Sequence, residues 1–107
     1  ELLYSNEWVI TRERHEADNR VDINIKYKKC DNYEIQIECK KDENPKVYAG
    51  IEEQLIGKYL SSKVQYGIYL IFYFGQNHKD EFLKKLNESV PQKYKNKIKI
   101  ILLDLTK

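Results

Sequence analysis

The sequence predicts one α/β domain, a mixed β-sheet flanked by helices, with the element order β-β-β-α-β-α-β. Three strand-like segments follow one another before residue 41, and two of them alternate between apolar and polar residues. Two segments with helical apolar spacing come later, on either side of an almost continuously apolar run over 67–75. Strand, helix and strand in succession indicate parallel crossovers, whereas the three leading strands indicate an antiparallel meander.

The first two strands are predicted over 7–14 and 20–28. The first is rich in β-branched and aromatic residues, which suit a pleated and half-buried surface. The second alternates strictly and has Asp22 on its polar side. A turn over 30–32 leads to the third strand, over 33–40, so the second and third strands are expected to form a hairpin.

The third strand contains the segment EIQIECKK, whose apolar residues alternate as in a strand with one face in solvent. The alternation predicts that four polar residues share this wet face: Glu34, Gln36, Glu38 and Lys40. The apolar residues are expected to point to the core: Ile35, Ile37 and Cys39. An acid and a lysine therefore stand side by side near the end of the strand.

A helix is predicted over 47–61, after a break at the polar, proline-containing residues 42–45. Its apolar side chains form one arc of a helical wheel: Val47, Ile51, Leu55, Ile56, Tyr59 and Leu60. Glu52 falls inside this arc, where an acid in the first turn suits the helix dipole. Gln54 and Lys58 lie one turn apart at the rim of the arc.

Three elements complete the domain, a strand over 67–75, a helix over 78–89 and a strand over 98–105. Because nearly every residue of the first is apolar, we expect a central strand that is covered on both faces. The helix is expected to turn three side chains inward: Phe82, Leu83 and Leu86.

Composition excludes several classes of protein. A chain of 107 residues is long enough for one core, so we expect a single domain over 1–107. The sequence has no apolar run of about 18 residues, so we expect no membrane span, and no signal peptide is visible. Two isolated cysteines favour a reducing, cytoplasmic setting over a disulfide framework or a zinc site. Because the sequence starts at Glu1 and not at Met, we expect a fragment attached to further domains upstream.

The polar residues of the hairpin suggest a site. Asp22 comes early in its strand and Glu38 late in the next, so antiparallel pairing brings both to the same end, beside Lys40. Two carboxylates a few ångströms apart repel each other, and a bound divalent cation removes that cost. Carboxylate oxygens suit Mg²⁺ or Mn²⁺, which can polarise a phosphoryl oxygen and acidify a water. We expect Lys40 to hold that water and to stabilise negative charge.

Asp22, followed by Glu38-Cys39-Lys40 at the end of the next strand, resembles the PD-(D/E)xK nuclease superfamily. The resemblance extends from about residue 8 to residue 75 and implies a restriction-endonuclease-like core. It implies that Asp22 and Glu38 are metal ligands, that the backbone carbonyl of Cys39 is a further ligand, and that Lys40 is the catalytic lysine. Residues 20–23, 49–55 and 67–72 also resemble nuclease modules of large bacterial anti-phage proteins.

The sequence departs from the family pattern at three points. Asp22 follows Val21 and not proline. The leading helix of the family, which often carries an extra acid, is not evident, and Glu13 on a strand is only a possible support for the site. Some members carry a glutamine and then a tyrosine four residues later, whereas Tyr59 is five residues after Gln54. Gln54 is nevertheless a second possible support for the metal site, whereas Tyr59 belongs to the apolar arc of the helix.

The resemblance implies a metal-dependent deoxyribonuclease that uses Mg²⁺, with Mn²⁺ as a substitute, to hydrolyse DNA phosphodiester bonds. Lys41, Lys58 and Lys26 are expected to contact the phosphate backbone, which would make binding salt-dependent. Cutting both strands would favour a homodimer.

Two alternatives stand beside this hypothesis. The first is a catalytically inactive module of the same fold that binds nucleic acid or a partner domain, and the missing leading helix favours it. The second is an ordinary solvated strand, on which Glu38 and Lys40 form an exposed ion pair of little energetic worth.

Overall fold

A mixed sheet of six strands forms the centre of an α/β fold. The computed structural model describes residues 2–4, 8–15, 20–27, 34–59, 64–75 and 77–106. The strands are β1 (Leu2–Tyr4), β2 (Trp8–His15), β3 (Arg20–Tyr27), β4 (Glu34–Lys41), β5 (Val64–Tyr73) and β6 (Ile98–Asp104). Each strand lies beside its neighbour in the sequence, so the order across the sheet is the order along the chain.

The sheet changes from antiparallel to parallel pairing at β4. The strands from β1 to β4 pair antiparallel with one another, and β4, β5 and β6 pair in parallel. Parallel neighbours need a long crossover, which the helical segments of the chain supply. The predicted meander and parallel crossovers are therefore observed. The predicted element order lacked β1, which pairs with residues 9–11 of β2.

The crossover from β4 to β5 carries a π-helix (Ile51–Tyr59) where the sequence predicts an α-helix over 47–61. Residues 45–48 form turns before it. A π-helix closes i→i+5 hydrogen bonds and so holds more residues in each turn. Leu55 and Ile56 therefore lie on either side of Ile51, and Glu52 falls outside the buried arc, where it is exposed.

The crossover from β5 to β6 carries α1 (Lys79–Glu88) and a short 3₁₀ turn (Gln92–Tyr94). Two side chains of α1, Phe82 and Leu86, are buried as predicted, and Leu83 is partly buried. The ring of Phe82 stacks on Tyr73 with 6.0 Å between ring centroids. Within the described residues, no helix is long and apolar enough to cross a membrane.

The core lies between the helices and one face of the sheet. β5 supplies three of its buried side chains, Tyr69, Ile71 and Tyr73. Gly67 lets the π-helix approach this strand, because a Cβ at position 67 would lie 2.9 Å from Cδ2 of Leu55. The remaining buried members are Val47, Ile51, Leu55, Phe82, Leu86, Val90 and Ile98.

The opposite face of the sheet is less well covered. Alternate residues of β5 are buried, but those between them are only partly buried: Ile68, Leu70 and Phe72. On the same face Phe74 and Leu103 are each 46% exposed. The expectation that β5 is covered on both faces is therefore wrong for the described part of the chain, because the π-helix and α1 pack on the same side.

β4 reverses the burial that its sequence predicts. Gln36, Glu38 and Lys40 are 4%, 0% and 6% exposed. The apolar residues between them are only partly buried: Ile35, Ile37 and Cys39. Glu38 is the register partner of Tyr69, so the polar side of β4 continues the face that the helices cover. The prediction of a wet polar face and a core-facing Cys39 is wrong.

Candidate metal-binding and catalytic site

Three acidic residues occupy one row across the sheet. Glu13 on β2 is the register partner of Asp22 on β3, and Asp22 is the register partner of Glu38 on β4. Residues that oppose each other in antiparallel strands are close neighbours. The predicted juxtaposition of Asp22 and Glu38 at one end of the hairpin is the observed register, and Glu13 extends it by one strand. The side chains of Glu13 and Asp22 lie outside the described residues.

Glu38 and Lys40 form an ion pair beneath the helical crossover. Nζ of Lys40 lies 3.9 Å from Oε2 of Glu38, and the two side chains are 5% and 0% exposed. Burying a carboxylate costs free energy, which a nearby ammonium group offsets in part. The pair is therefore a desolvated charge cluster and not the exposed ion pair of an ordinary solvated strand.

Tyr69 lies beside Glu38 in the register of β4 and β5. Its hydroxyl donates a hydrogen bond of 2.6 Å to the backbone carbonyl of Val47, at the start of the helical crossover. Burial, and after it the negative charge of Glu38, raise the pKa of Tyr69. The hydroxyl therefore stays protonated and acts as a donor that ties β5 to the segment above the site.

Gly50 brings the crossover down onto Lys40 and Tyr69. A Cβ at position 50 would lie 3.1 Å from Cε of Lys40 and still closer to the hydroxyl oxygen of Tyr69. Only a glycine fits this contact without a shift of its neighbours. Gly50 therefore limits the space in which the lysine stem can move.

Gln54 lies on the π-helix of the crossover between β4 and β5. Its Oε1 atom is buried and accepts no hydrogen bond from any residue that the structure describes. Buried polar atoms in proteins are nearly always satisfied, so such an oxygen suggests a ligand or an ordered water. Gln54 was expected from the sequence to support the site, and the buried oxygen of its side chain is compatible with that role.

Hydrogen bonds satisfy the two other buried polar residues of this region, Gln36 on β4 and Asp42 just after it. Nδ2 of Asn24 donates hydrogen bonds to Oε2 of Glu34, at 3.0 Å, and to Oε1 of Gln36, at 3.1 Å. At the end of the strand, Oδ1 of the buried Asp42 accepts a 3.0 Å hydrogen bond from the backbone N–H of Phe74. These residues hold strands together, and we assign them a structural role.

Of the three lysines that were expected to contact phosphate, the two whose side chains the structure describes do not lie beside the ion pair. Lys26 is exposed and is the register partner of Glu34, four residues along β3 from Asp22. Lys41 is exposed, with Nζ 6.0 Å from the ring centroid of Phe74. The side chain of Lys58 lies outside the described residues.

The backbone of Cys39 pairs with β5, opposite Leu70, and its side chain is partly buried. Cys39 lies between Glu38 and Lys40 along β4, and the alternation of the strand puts its side chain on the opposite face. Among the side chains that the structure describes, no three His, Cys, Asp or Glu residues come together as a metal site would require. A metal site here needs Asp22 as well as Glu38.

No sequence pattern predicted the contact that Tyr69 makes with the helical crossover, whereas a role for Gly50 in close helix–sheet packing was expected. Tyr69 belongs to the apolar run of β5, and its partner Val47 is 22 residues away. No local pattern reports such a contact. The only sequence signal is indirect: a tyrosine at a buried strand position needs a partner for its hydroxyl.

Comparison with known proteins gives a family but no activity. No curated protein and no solved structure matches the chain. Residues 1–76 match the sequence model of a family described as Domain of unknown function (DUF8371). The matched segment runs from β1 to the end of β5 and includes every candidate site residue. Because the match covers more than half of the chain, the protein belongs to the DUF8371 family.

Proposed function

We propose that this domain is a metal-dependent nuclease that hydrolyses DNA phosphodiester bonds at a site formed by Asp22, Glu38 and Lys40. The observation that carries the proposal is the buried pair of Glu38 and Lys40, 3.9 Å apart, in register with Asp22. Buried ion pairs seldom add stability over apolar residues of similar size. A buried pair beside a row of acids is therefore better explained by a functional role.

Oxygen donors on β4 and on the π-helix are of the kind that suits Mg²⁺ or Mn²⁺. Glu38 offers a fully buried carboxylate, and Gln54 offers a buried amide oxygen that accepts no hydrogen bond from the described residues. Hard divalent cations prefer carboxylate, amide and carbonyl oxygens. Asp22 and Glu38 would hold the ion, with the carbonyl of Cys39 as a further ligand. When bound, such an ion polarises a phosphoryl oxygen and lowers the pKa of a water.

Lys40 supplies the positive charge that the reaction needs. Its ammonium group is held in a water-poor environment, where its field is stronger than it would be in water. It can donate hydrogen bonds to the attacking water and to a phosphate oxygen, and it stabilises the negative charge of the transition state. Gly50 and Tyr69 fix the lysine stem and the crossover above it.

The element order supports the restriction-endonuclease-like part of the proposal. From β2 to β5 the chain runs through strand, strand with Asp22, strand with Glu38 and Lys40, helix and central strand. This is the order that the resemblance to the PD-(D/E)xK superfamily implies. The exposed Lys26 and Lys41 would contact the DNA backbone, and a homodimer would supply the two sites needed to cut both strands.

Plasmid cleavage tests the proposal. Wild-type protein should nick supercoiled DNA with Mg²⁺ or Mn²⁺ and not with EDTA. Glu38→Gln and Lys40→Met should each reduce the rate about 100-fold or more, as loss of a residue that assists proton transfer or stabilises charge does. Glu53→Gln and Lys46→Met are matched controls at exposed positions and should leave the rate unchanged. Full activity in EDTA or in Glu38→Gln would contradict the proposal.

A catalytically inactive module is the second candidate. Two observations favour it: Lys40 already offsets the charge of Glu38, and the described side chains contain no group of three metal ligands. Metal binding separates the candidates, because a ligand that binds only the folded state raises the melting temperature. DNA binding without cleavage, and without stabilisation by Mn²⁺, would support the inactive module.

A further inference from the structure

A surface cavity of about 500 Å³ lies at the amino ends of β5 and β6. Its polar lining combines lysines, amides and one aromatic ring: Tyr66, Asn87, Lys95, Asn96, Lys97 and Lys99. Glu38 and Lys40 do not line it, and none of the described residues that do is acidic. We infer that this cavity is a second surface for nucleic acid, which binds the phosphates and a base of a single strand outside the cleavage site.

The positive charge of the cavity is available to an anion. Lys97 and Lys99 are exposed, and neither forms an ion pair with an acidic residue in the described part of the chain. Lys95 donates a hydrogen bond to the carbonyl of Asn87, near the end of α1, and an ammonium group has two further donors. Three ammonium groups around one cavity create a field that attracts a polyanion.

The aromatic ring and the amides favour nucleic acid over an acidic peptide. Tyr66 is 40% exposed and lies on β5 beside the lysines. Nucleic-acid bases stack on such rings whatever their sequence, and this stacking is a main source of affinity for single strands. The amides of Asn87 and Asn96 can donate to and accept from a base edge, as base recognition requires. An acidic peptide without aromatic residues would not stack on the ring of Tyr66.

The register of the sheet sets the distance between the two sites. Ile98 lines the cavity and pairs with Gly67, two residues before Tyr69, which is the partner of Glu38. Two residues along a strand and two strands across a sheet correspond to about 12 Å. Lys99 pairs with Ile68, on the face of the sheet opposite Tyr69 and Glu38, so the cavity is a surface separate from the cleavage site. The choice of nucleic acid as the polyanion rests on the proposed function, whereas the basic cavity itself does not.

Binding in EDTA tests the surface without cleavage. The probe is a short fluorescent single-stranded DNA, and its anisotropy is measured at several salt concentrations. Lys97→Gln/Lys99→Gln should bind at least tenfold more weakly, and its slope of log K against log salt should be smaller by about 1.4, or 0.7 for each lost phosphate contact. Tyr66→Ala should weaken binding about tenfold and Tyr66→Phe should not. Lys46→Gln/Lys84→Gln, at exposed positions outside the cavity lining, should bind like wild type.

The outcomes separate this inference from the nuclease proposal. Weaker binding by the Lys97/Lys99 variant supports the surface even if wild-type protein cuts no plasmid. Wild-type affinity and salt slope in that variant overturn the surface, whatever the cleavage assay shows. Competition by polyglutamate that equals competition by unlabelled DNA of the same charge overturns the assignment to nucleic acid. Unchanged melting temperatures show that the variants fold.

Discussion

Lys40 and Glu38 stand two residues apart on β4 and meet in the interior, with Nζ of Lys40 3.9 Å from Oε2 of Glu38. On a strand whose polar side faced water, such a pair would have little energetic consequence. Beneath the helical crossover each charge depends on the other. This interdependence gives the pair a measurable signature in stability, separate from its proposed role in cleavage.

Lys40→Met should lower the free energy of unfolding by about 3 kcal/mol, because it removes the ammonium group from beside the buried charge of Glu38. Urea unfolding at neutral pH measures the change. The double variant Glu38→Gln/Lys40→Met should recover most of the loss, since neither buried charge remains. Lys46→Met, at an exposed position, should change stability by less than about 0.5 kcal/mol. If Lys40→Met were as stable as wild type, the buried ion pair would be refuted.

The same double variant separates stability from catalysis. It should unfold near the wild-type urea concentration and still show at least a 100-fold loss in plasmid cleavage, since it lacks both a metal ligand and the lysine. The assay compares it with Glu53→Gln/Lys46→Met, which carries the same substitutions at exposed positions. Recovery of cleavage along with stability would assign the pair a structural role only.

The effects of Gly50→Ala and Tyr69→Phe on the free energy of unfolding should not be additive. An added Cβ at position 50 would contact the hydroxyl of Tyr69 and Cε of Lys40, so Gly50→Ala should cost about 1–3 kcal/mol. Tyr69→Phe should also cost about 1–2 kcal/mol, because the carbonyl of Val47 loses its donor. The double variant should be more stable than the sum of the two losses predicts, because the phenyl ring leaves room for the Cβ. Additive losses in a double-mutant cycle would exclude the close contact.

The contribution of Tyr69 to the free energy of unfolding should fall at alkaline pH. Its pKa is raised above the ordinary value of 10.0, first by burial and then by Glu38. The stability that Tyr69 contributes is therefore fully present below about pH 10. It is lost above that pH, because the tyrosine loses its proton more readily in the unfolded chain than in the folded one. The stability advantage of wild type over Tyr69→Phe should shrink by up to about 1.4 kcal/mol for each pH unit above 10. Unfolding curves measured at pH 9 and pH 11 test this, and an advantage that stays constant would contradict it.

The contribution of Asp104 to stability should fall at acidic pH. Hydrogen bonds from the side chain and backbone of Thr106, and then the hydrogen bond from Lys79, lower its pKa to about 2 from an ordinary 3.8. The stability that it contributes is present above about pH 4 and is lost as the pH falls towards 2. An NMR titration of the Asp104 carboxyl should show a larger rise in pKa for Thr106→Val than for Lys79→Gln. The reverse order would mean that the lysine dominates.

The strand pattern predicts much of the site, because alternation and turn position are local. The alternation around Asp22 and Glu38, with a turn between their strands, predicts that the two residues lie at the same end of the hairpin. Alternation cannot say which face of a strand a distant helix will cover. For that reason the polar side of β4 was expected in water and lies in the interior.

Other features depend on contacts between distant parts of the chain. The near-continuous apolar run of β5 predicts two covered faces, yet both helical crossovers pack on one. The π-helical spacing of 51–59 leaves no distinct sequence signal, since the same apolar residues fit an α-helical arc almost as well. Tyr69 and Gly50 meet only because the crossover returns over β5, which no periodicity reports.

The proposed metal site is tested most directly by diffraction from a crystal of the wild-type protein that has been soaked in Mn²⁺, measured at a wavelength where manganese scatters anomalously. An anomalous peak should be bound by the carboxylates of Asp22 and Glu38, with metal–oxygen distances of about 2.0–2.4 Å, and it should be absent from a Glu38→Gln crystal soaked in the same way. No peak at Glu38 at a Mn²⁺ concentration that supports plasmid cleavage, or a peak that persists unchanged in Glu38→Gln, would contradict it.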